Sequence, residues 1–371
     1  MSPKHEKFYL IYIFWLLLFT FFTNQYYSFN EIVSINQLDS VSYMAIAKSA
    51  PNISNEIIPY HHAQRVFFPY LVGLISNITN IDLMLCFRII TFLVIFFIIY
   101  LHYLITKKLN INLNTSIIFS SLLILNPYLV RYFVAVPTMI NDAVFILSLY
   151  LFLFGLLLNN KLTLTGVFFG LISRQNGIFL FVSYIINKLF VLKYKIIKDI
   201  GVVASIFILI IITLIANNYA SKVSSTSFDF RHAYGIFEWF LVDWNLVNFL
   251  KWMLLPLYSY LPILIIFLFF LKLKTYDSKQ LKNYIILIFI FLSILGVSYL
   301  PGPEMAGRNI IRQTSLAYPV LLVGSVLFME AKKILSNRTL LIFVIFSLHI
   351  WSFHPRYSTI STFEFLRNYF F

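Results

Sequence analysis

Apolar residues run in long uninterrupted stretches, with polar residues gathered in the gaps between them. The stretches are Phe8–Thr23, Leu83–Thr106, Leu113–Leu125, Ala143–Leu158, Leu162–Ile172, Ile178–Leu192, Ile200–Ala216, Leu250–Leu271, Tyr284–Leu300, Ser315–Met329 and Leu340–Phe353. About 20 apolar residues carry a helix across a bilayer, so the pattern predicts about eleven transmembrane helices. The first stretch is followed by Asn24-Gln25-Tyr26-Tyr27 rather than a small-residue cleavage site, and is expected to be retained as a span. Its flank carries Lys4 and Lys7, which places the N-terminus in the cytoplasm. The gap from Asn24 to Asp82 is too long for a simple connector. Within it, Ser42–Lys48 and Val66–Ile75 have helical spacing. The second, interrupted by Gly73 and Asn77, is too short to cross and is expected to lie along the membrane surface. Later gaps cover residues 217–248 and 301–314.

Composition narrows the class. The chain has 371 residues, 60% hydrophobic, 19% aromatic and 11% charged, against about 25% charged in soluble domains. It cannot cover a globular surface, which excludes a soluble enzyme, a nucleic-acid-binding module and a disordered chain. The formal charge of +14 comes from basic residues scattered singly, a sign of topology rather than of a nucleic-acid partner. One cysteine, Cys86, lies inside an apolar run, so there is neither a disulfide framework nor a cysteine metal cluster. The fold class is an all-α polytopic membrane protein forming a single transmembrane domain, residues 1–371.

Alternating the spans from an inside N-terminus sorts the basic residues. Fifteen lysines and Arg338 fall on the cytoplasmic face, while three lysines and nine arginines fall outside or near the outer end of a span. The positive-inside rule accounts for the lysines but not for arginine gathering opposite them. Ten of the fourteen acidic residues share the arginine face. The step that fixes this count is Ser173-Arg174-Gln175-Asn176-Gly177. A single span through it would bury a guanidinium at a cost of at least ~2.5 kcal/mol and export Lys188, Lys193, Lys195 and Lys198. A helical hairpin turning at the polar residues and glycine is preferred.

The candidate chemistry therefore lies on the outer face. Arginine offers a planar fork for phosphate oxygens, where lysine offers a point charge. Asp39 opens the helix-like stretch Leu38-Asp39-Ser40-Val41-Ser42-Tyr43-Met44-Ala45-Ile46-Ala47, and Asp142 opens the fourth span after Pro137-Thr138-Met139-Ile140-Asn141. Both carboxylates have a helix-capping alternative. Arg65 could snorkel to the interface, and His61 and His62 read as polar loop residues. No phosphate-cradling glycine loop, zinc helix or nucleophile elbow is found.

The order of these features resembles the GT-C superfamily of integral-membrane glycosyltransferases over residues 8–192. Asp39-Ser40-Val41-Ser42-Tyr43-Met44-Ala45-Ile46-Ala47 is similar to the Asp-x-x-x-Tyr-x-x-Ile-Ala stretch of mannosyltransferase-like members. It is followed by Gln64-Arg65-Val66-Phe67-Phe68-Pro69-Tyr70-Leu71, by Asn126-Pro127, and by Asp142. Leu171-Ile172-Ser173-Arg174-Gln175-Asn176-Gly177 is similar to the family's Thr/Ser-Arg turn. Residues 193–371 contribute further spans. The resemblance implies membrane-parallel helices in the first outer loop and a polyprenyl-phosphate-sugar donor. It also implies transfer to a lipid or glycan hydroxyl on the outer face of a membrane, such as a bacterial inner membrane. Asp39 would be the general base. Arg174, Arg308 and Arg312 would bind the phosphate, and Asp142, Arg65 and Tyr43 would orient the substrates. Asp39-Ser40 stands where some members carry two adjacent acids, so no cofactor is required and a divalent metal is left open.

Three other readings compete: a transporter or lipid flippase, a lipid-linked polysaccharide polymerase, and a membrane scaffold. Transporters tend to carry internal repeats and polar breaks at mid-membrane. No repeat is evident between the halves of this chain, and a scaffold gives no reason for arginine to prefer one side.

Overall fold

The computed structural model describes residues 2–34, 38–157, 160–192, 199–224, 245–273, 278–300, 303, 310–332 and 337–359. Each of the eleven apolar stretches contains a helix. In chain order the helices are α1 (Pro3–Phe22), α2 (Phe29–Ser34), α3 (Leu38–Ser49), α4 (Tyr60–Ala63), α5 (Phe67–Thr79), α6 (Leu83–Lys108) and α7 (Leu113–Ile124). They continue as α8 (Val130–Ala135), α9 (Ile140–Leu157), α10 (Asn160–Ser173), α11 (Gly177–Leu192), α12 (Ile200–Val223) and α13 (Leu246–Phe270). The last are α14 (Ser278–Tyr299), α15 (Ile310–Ser315), α16 (Tyr318–Phe328) and α17 (Arg338–Trp351). Among the described residues the only strands are β1 (Leu271–Leu273) and β2 (Met329–Ala331), a short antiparallel pair.

Seven helical segments are long and apolar enough to cross a membrane, which is the make-up of a multi-pass membrane protein. They are Pro3–Phe22, Leu83–Lys108, Pro137–Leu157, Ile200–Val223, Phe249–Phe270, Lys282–Tyr299 and Ile310–Phe328. Helices α7, α10, α11 and α17 are apolar but shorter. For α7 the cause is the Asn126-Pro127 pair that follows it. Pro127 has no N–H to continue the ladder, and the Asn126 side chain takes over, accepting from Tyr128 N (3.0 Å) and donating to Ser259 Oγ (3.2 Å). The chain resumes as α8 and a 3₁₀ turn over Pro137–Met139 before entering α9.

Helices α10 and α11 form a hairpin. Gly170 C=O accepts from Arg174 N (3.1 Å) and Arg174 C=O accepts from Gly177 N (2.9 Å), so the turn ends one helix and starts the next. A side chain at Gly177 would collide with the Gly170 carbonyl, and only glycine permits the approach. Helix α5 meets α3 in the same way, with Gly73 against the Ala47 carbonyl.

Charge separates between the two ends of the bundle. At one end Glu6 pairs with Lys107 (2.6 Å) and Lys188 with Asp199 (3.0 Å), and β1 and β2 lie there, with Lys272 opposite Glu330 in their pairing and Lys332 just beyond it. The opposite end holds Arg65, Arg131, Arg174 and Arg312. Arg131 is fully buried there and donates to Thr23 O (2.8 Å), Thr23 Oγ1 (3.0 Å), Asn24 Oδ1 (3.4 Å) and Ser352 Oγ (3.3 Å). It thereby ties the end of α1 to the end of α17. The segment beyond α17 pairs with the same stretch, with Gln25 N donating to Tyr357 O and Thr359 N to Thr23 O.

Candidate functional site

Five elements converge at the arginine end. Helix α3 brings Asp39 in its first turn and Tyr43 one turn later on the same face. Helix α4 brings His62, and the bend after it brings Arg65. Helix α9 starts at Ile140, putting Asn141 and Asp142 in its first turn. The hairpin turn supplies Arg174, and the short helix α15 supplies Arg312. Asp39 and Asp142 thus both sit at helix N-termini, where the macrodipole favours a negative charge. Each lies inside the first turn rather than at a capping position.

Arg312 joins the two carboxylates. Its Nη2 donates to Asp39 Oδ2 at 2.8 Å, its Nη1 reaches Tyr132 Oη of α8 at 3.4 Å, and its Nε lies 3.7 Å from Asp142 Oδ2. The Arg174 guanidinium is hydrogen-bonded to Asp142 Oδ1, and Asp142 is wholly excluded from solvent. Arg65 Nη1 donates to Tyr43 Oη (3.0 Å) and lies 3.8 Å from Asp39 Oδ2, while its Nε donates to Gln175 Oε1 (2.9 Å). Asn141 Nδ2 donates to the Arg65 carbonyl (3.2 Å), fixing the bend to α9. His62 Nε2 lies 3.0 Å from Asp39 Oδ1, and its Nδ1 is 2.9 Å from Ser42 Oγ.

Burial alone would push the Asp39 carboxyl up. The Arg312 guanidinium, the hydrogen bond from His62 and the charge of Arg65 overcome it and hold the group well below the usual carboxylate range. Asp39 is therefore an anion at neutral pH. For Arg65, burial works against the charge and is outweighed by Tyr43 and Asp39, so the guanidinium is held above its ordinary value.

The cluster is not closed on itself. Arg174 Nε, Arg312 Nε, Asp142 Oδ2 and Asn141 Oδ1 are buried and have no hydrogen-bond partner among the described residues. Buried polar groups are nearly always paired. Two donors and two acceptors left open within one cluster are groups that a ligand bearing both an anion and hydroxyls would complete. Two carboxylates against three guanidiniums leave one positive charge in surplus among these five side chains.

Of the residues expected from the sequence, Asp39, Tyr43, Arg65, Asp142, Arg174 and Arg312 are brought together here. Arg308 lies outside the described residues, as do Asp229, Arg231, His232, Glu238, Asp243 and Glu304. His62 is corrected: it is not a solvated loop residue but is only 6% exposed and is bonded to Asp39. Its position three residues before Arg65 was the one available signal. Tyr132, Asn141 and Gln175 were also missed, though Asn141 and Gln175 each adjoin a residue already singled out. Among the described residues no group of three or more His, Cys, Asp or Glu side chains gathers as metal ligands would. Compared with family models, with curated proteins and with solved structures, the chain matches none.

Proposed function

We propose that this protein is a GT-C-type glycosyltransferase that moves a sugar from a polyprenyl-phosphate donor to an acceptor hydroxyl, working on the outer face of a membrane crossed by about eleven helices. The observation that carries the reading is the buried cluster itself. A buried carboxylate anion stands beside three guanidiniums, two of which keep an open Nε donor. The surplus of one positive charge suits a phosphodiester, which carries one negative charge.

The acceptor oxygen attacks the anomeric carbon as its proton passes to Asp39. The bond between the anomeric carbon and the phosphate oxygen breaks, and its electron pair leaves with the lipid phosphate. The phosphate gains a second negative charge in this step, and fixed guanidinium donors at Arg174 and Arg312 favour that state over the ground state. The donor phosphate also competes for Arg312. As that guanidinium turns to the phosphate, Asp39 loses the partner that most depresses its basicity. Asp142 and Asn141 offer acceptors for sugar hydroxyls, while Arg65 and Tyr43 orient the substrate. Membrane lipids surround the bundle. An apolar cavity of about 300 Å³ lies between α13, α14 and α16, lined by Phe267, Leu287, Phe291, Val320 and Phe328 among others. Its lining begins eight residues after Arg312 along the same helical path, roughly 12 Å at 1.5 Å per residue, within reach of an isoprenoid tail.

The test is transfer of label from polyprenyl-phosphate sugars in membranes carrying wild type or Asp39→Asn. Wild type should transfer. Asp39→Asn should lose about 10²–10⁴-fold while still inserting in the membrane and folding. Retained transfer in Asp39→Asn, or none from wild type across a panel of such donors, refutes the reading.

A further inference from the structure

A guanidinium beside a carboxylate normally takes both oxygens in a two-pronged fork. At Asp39 it does not. Arg312 reaches only Oδ2, because Oδ1 is already held by His62 Nε2 at 3.0 Å. Two bare lone pairs cannot face each other at that distance in a buried site, so a proton lies between the imidazole and the carboxylate. The other ring nitrogen, Nδ1, lies 2.9 Å from the Ser42 hydroxyl, which can donate to it. A ring with its hydrogen on Nε2 donates to Asp39 and leaves Nδ1 beside the Ser42 hydroxyl. The ring is fixed by packing: His62 is buried, and its centre lies 4.2 Å from the His61 ring in an edge-on contact and 6.2 Å from the Tyr43 ring.

The geometry points to a role for His62 that no sequence motif assigns. We propose that His62 is a positioning residue that occupies one oxygen of Asp39, so that Arg312 cannot close a fork over the carboxylate and remains turned toward Asp142 and the substrate. This rests on the glycosyltransferase reading. If Oδ1 were vacant, Arg312 would rotate its Nε from the neighbourhood of Asp142 to Asp39. One movement would then mask the base and withdraw the phosphate-binding donor. Ser42 contributes by selecting the ring hydrogen's position, and it does so from α3, the helix that carries Asp39. His62 gains and loses no proton in the transfer.

Substitutions that separate the two ring nitrogens provide the test. The amide nitrogen of Gln occupies the place of His Nε2, and that of Asn the place of Nδ1. His62→Gln keeps the donor to Asp39 and should retain transfer within about threefold. His62→Asn and His62→Ala free Oδ1 and should lose about 10²-fold, the cost of misplacing reacting groups by roughly 1 Å, with kcat falling and the donor KM rising together. Equal activity in Gln and Asn variants, whether retained or lost, overturns the proposal. So does a dead Gln variant, which would make His62 a proton carrier. If the Asn and Ala variants are not recovered folded, the Gln variant decides alone: retention within about threefold supports the proposal and any larger loss overturns it. A wild type inert with all donors overturns the glycosyltransferase reading and this proposal with it. An active wild type with indifferent His62 variants overturns this proposal only.

Discussion

The pair formed by Asp142 and Arg174 allows folding and function to be pulled apart. Both side chains are almost without solvent contact, at 0% and 5% exposure, and the next cation, Arg312 Nε, stands 3.7 Å from the other carboxylate oxygen. Arg174→Met strands a carboxylate in the bundle with only that more distant partner. Two unit charges about 4 Å apart at an effective dielectric of about 20 interact by about 4 kcal/mol, and breaking a buried pair typically costs about 3–5 kcal/mol. Asp142→Leu should be similarly damaging, because it leaves the Arg174 guanidinium buried and alone. The double variant Asp142→Leu/Arg174→Met removes both charges and replaces them with apolar groups of comparable bulk, so it should recover most of the loss. It should nevertheless be inactive in transfer. The measurement is unfolding by sodium dodecyl sulfate in mixed micelles, followed by fluorescence of the five tryptophans, alongside transfer assays of the same preparations. Single variants within about 1 kcal/mol of wild type would refute the argument. A double variant as unstable as the worse single would do so as well, as would one that still transfers.

Three further outcomes follow. Gly73→Val drives a side chain into the Ala47 carbonyl and should cost about 1–3 kcal/mol; because Ala47 shares α3 with Asp39, transfer should fall more than stability does, and unchanged activity would show that α5 does not set the position of α3. Since the Asp39 pKa is depressed on folding, its contribution to stability is present above the unfolded value near 3.9 and is lost as pH falls through the lower folded value. Stability curves of wild type and Asp39→Asn should therefore run parallel from pH 8 to about 5 and change their separation only in stronger acid; a divergence near neutrality would count against the assignment. In a Cys86→Ala background, a membrane-impermeant maleimide should label Gln175→Cys on intact cells and Lys107→Cys only after permeabilisation, and labelling of both from one side would break the topology.

The helices were legible because a bilayer-crossing helix must be apolar on nearly every face, so hydrophobic runs mark it without help from periodicity. The boundaries were less so. Leu113–Leu125 is short because Asn126-Pro127 interrupts a path that α8 resumes, a break that depends on Ser259 from a helix more than 130 residues away in sequence. Arg65, Arg174 and Arg312 drew attention because a guanidinium beside an apolar run needs a reason. Their partners were less visible. That Arg312 bridges Asp39 and Asp142 depends on α15 meeting α3 and α9, and nothing local to Ile311-Arg312-Gln313 encodes it. His62 escaped because a histidine in a loop reads as solvated, and only the packing of α4 on α3 shows otherwise.

Arg131 has a consequence for how the protein is made. Its hydrogen-bond acceptors come from residues 23 and 24, synthesised before it, and from Ser352, synthesised 221 residues after it. A ribosome-bound chain that has inserted α1 and α8 holds a guanidinium whose acceptor set stays incomplete for some 220 more residues, the separation between Arg131 and Ser352. The arginine end of the bundle cannot seal before Ser352 has been made. Quality control that surveys half-built membrane proteins would meet this cation as a long-lived mark of an unfinished molecule.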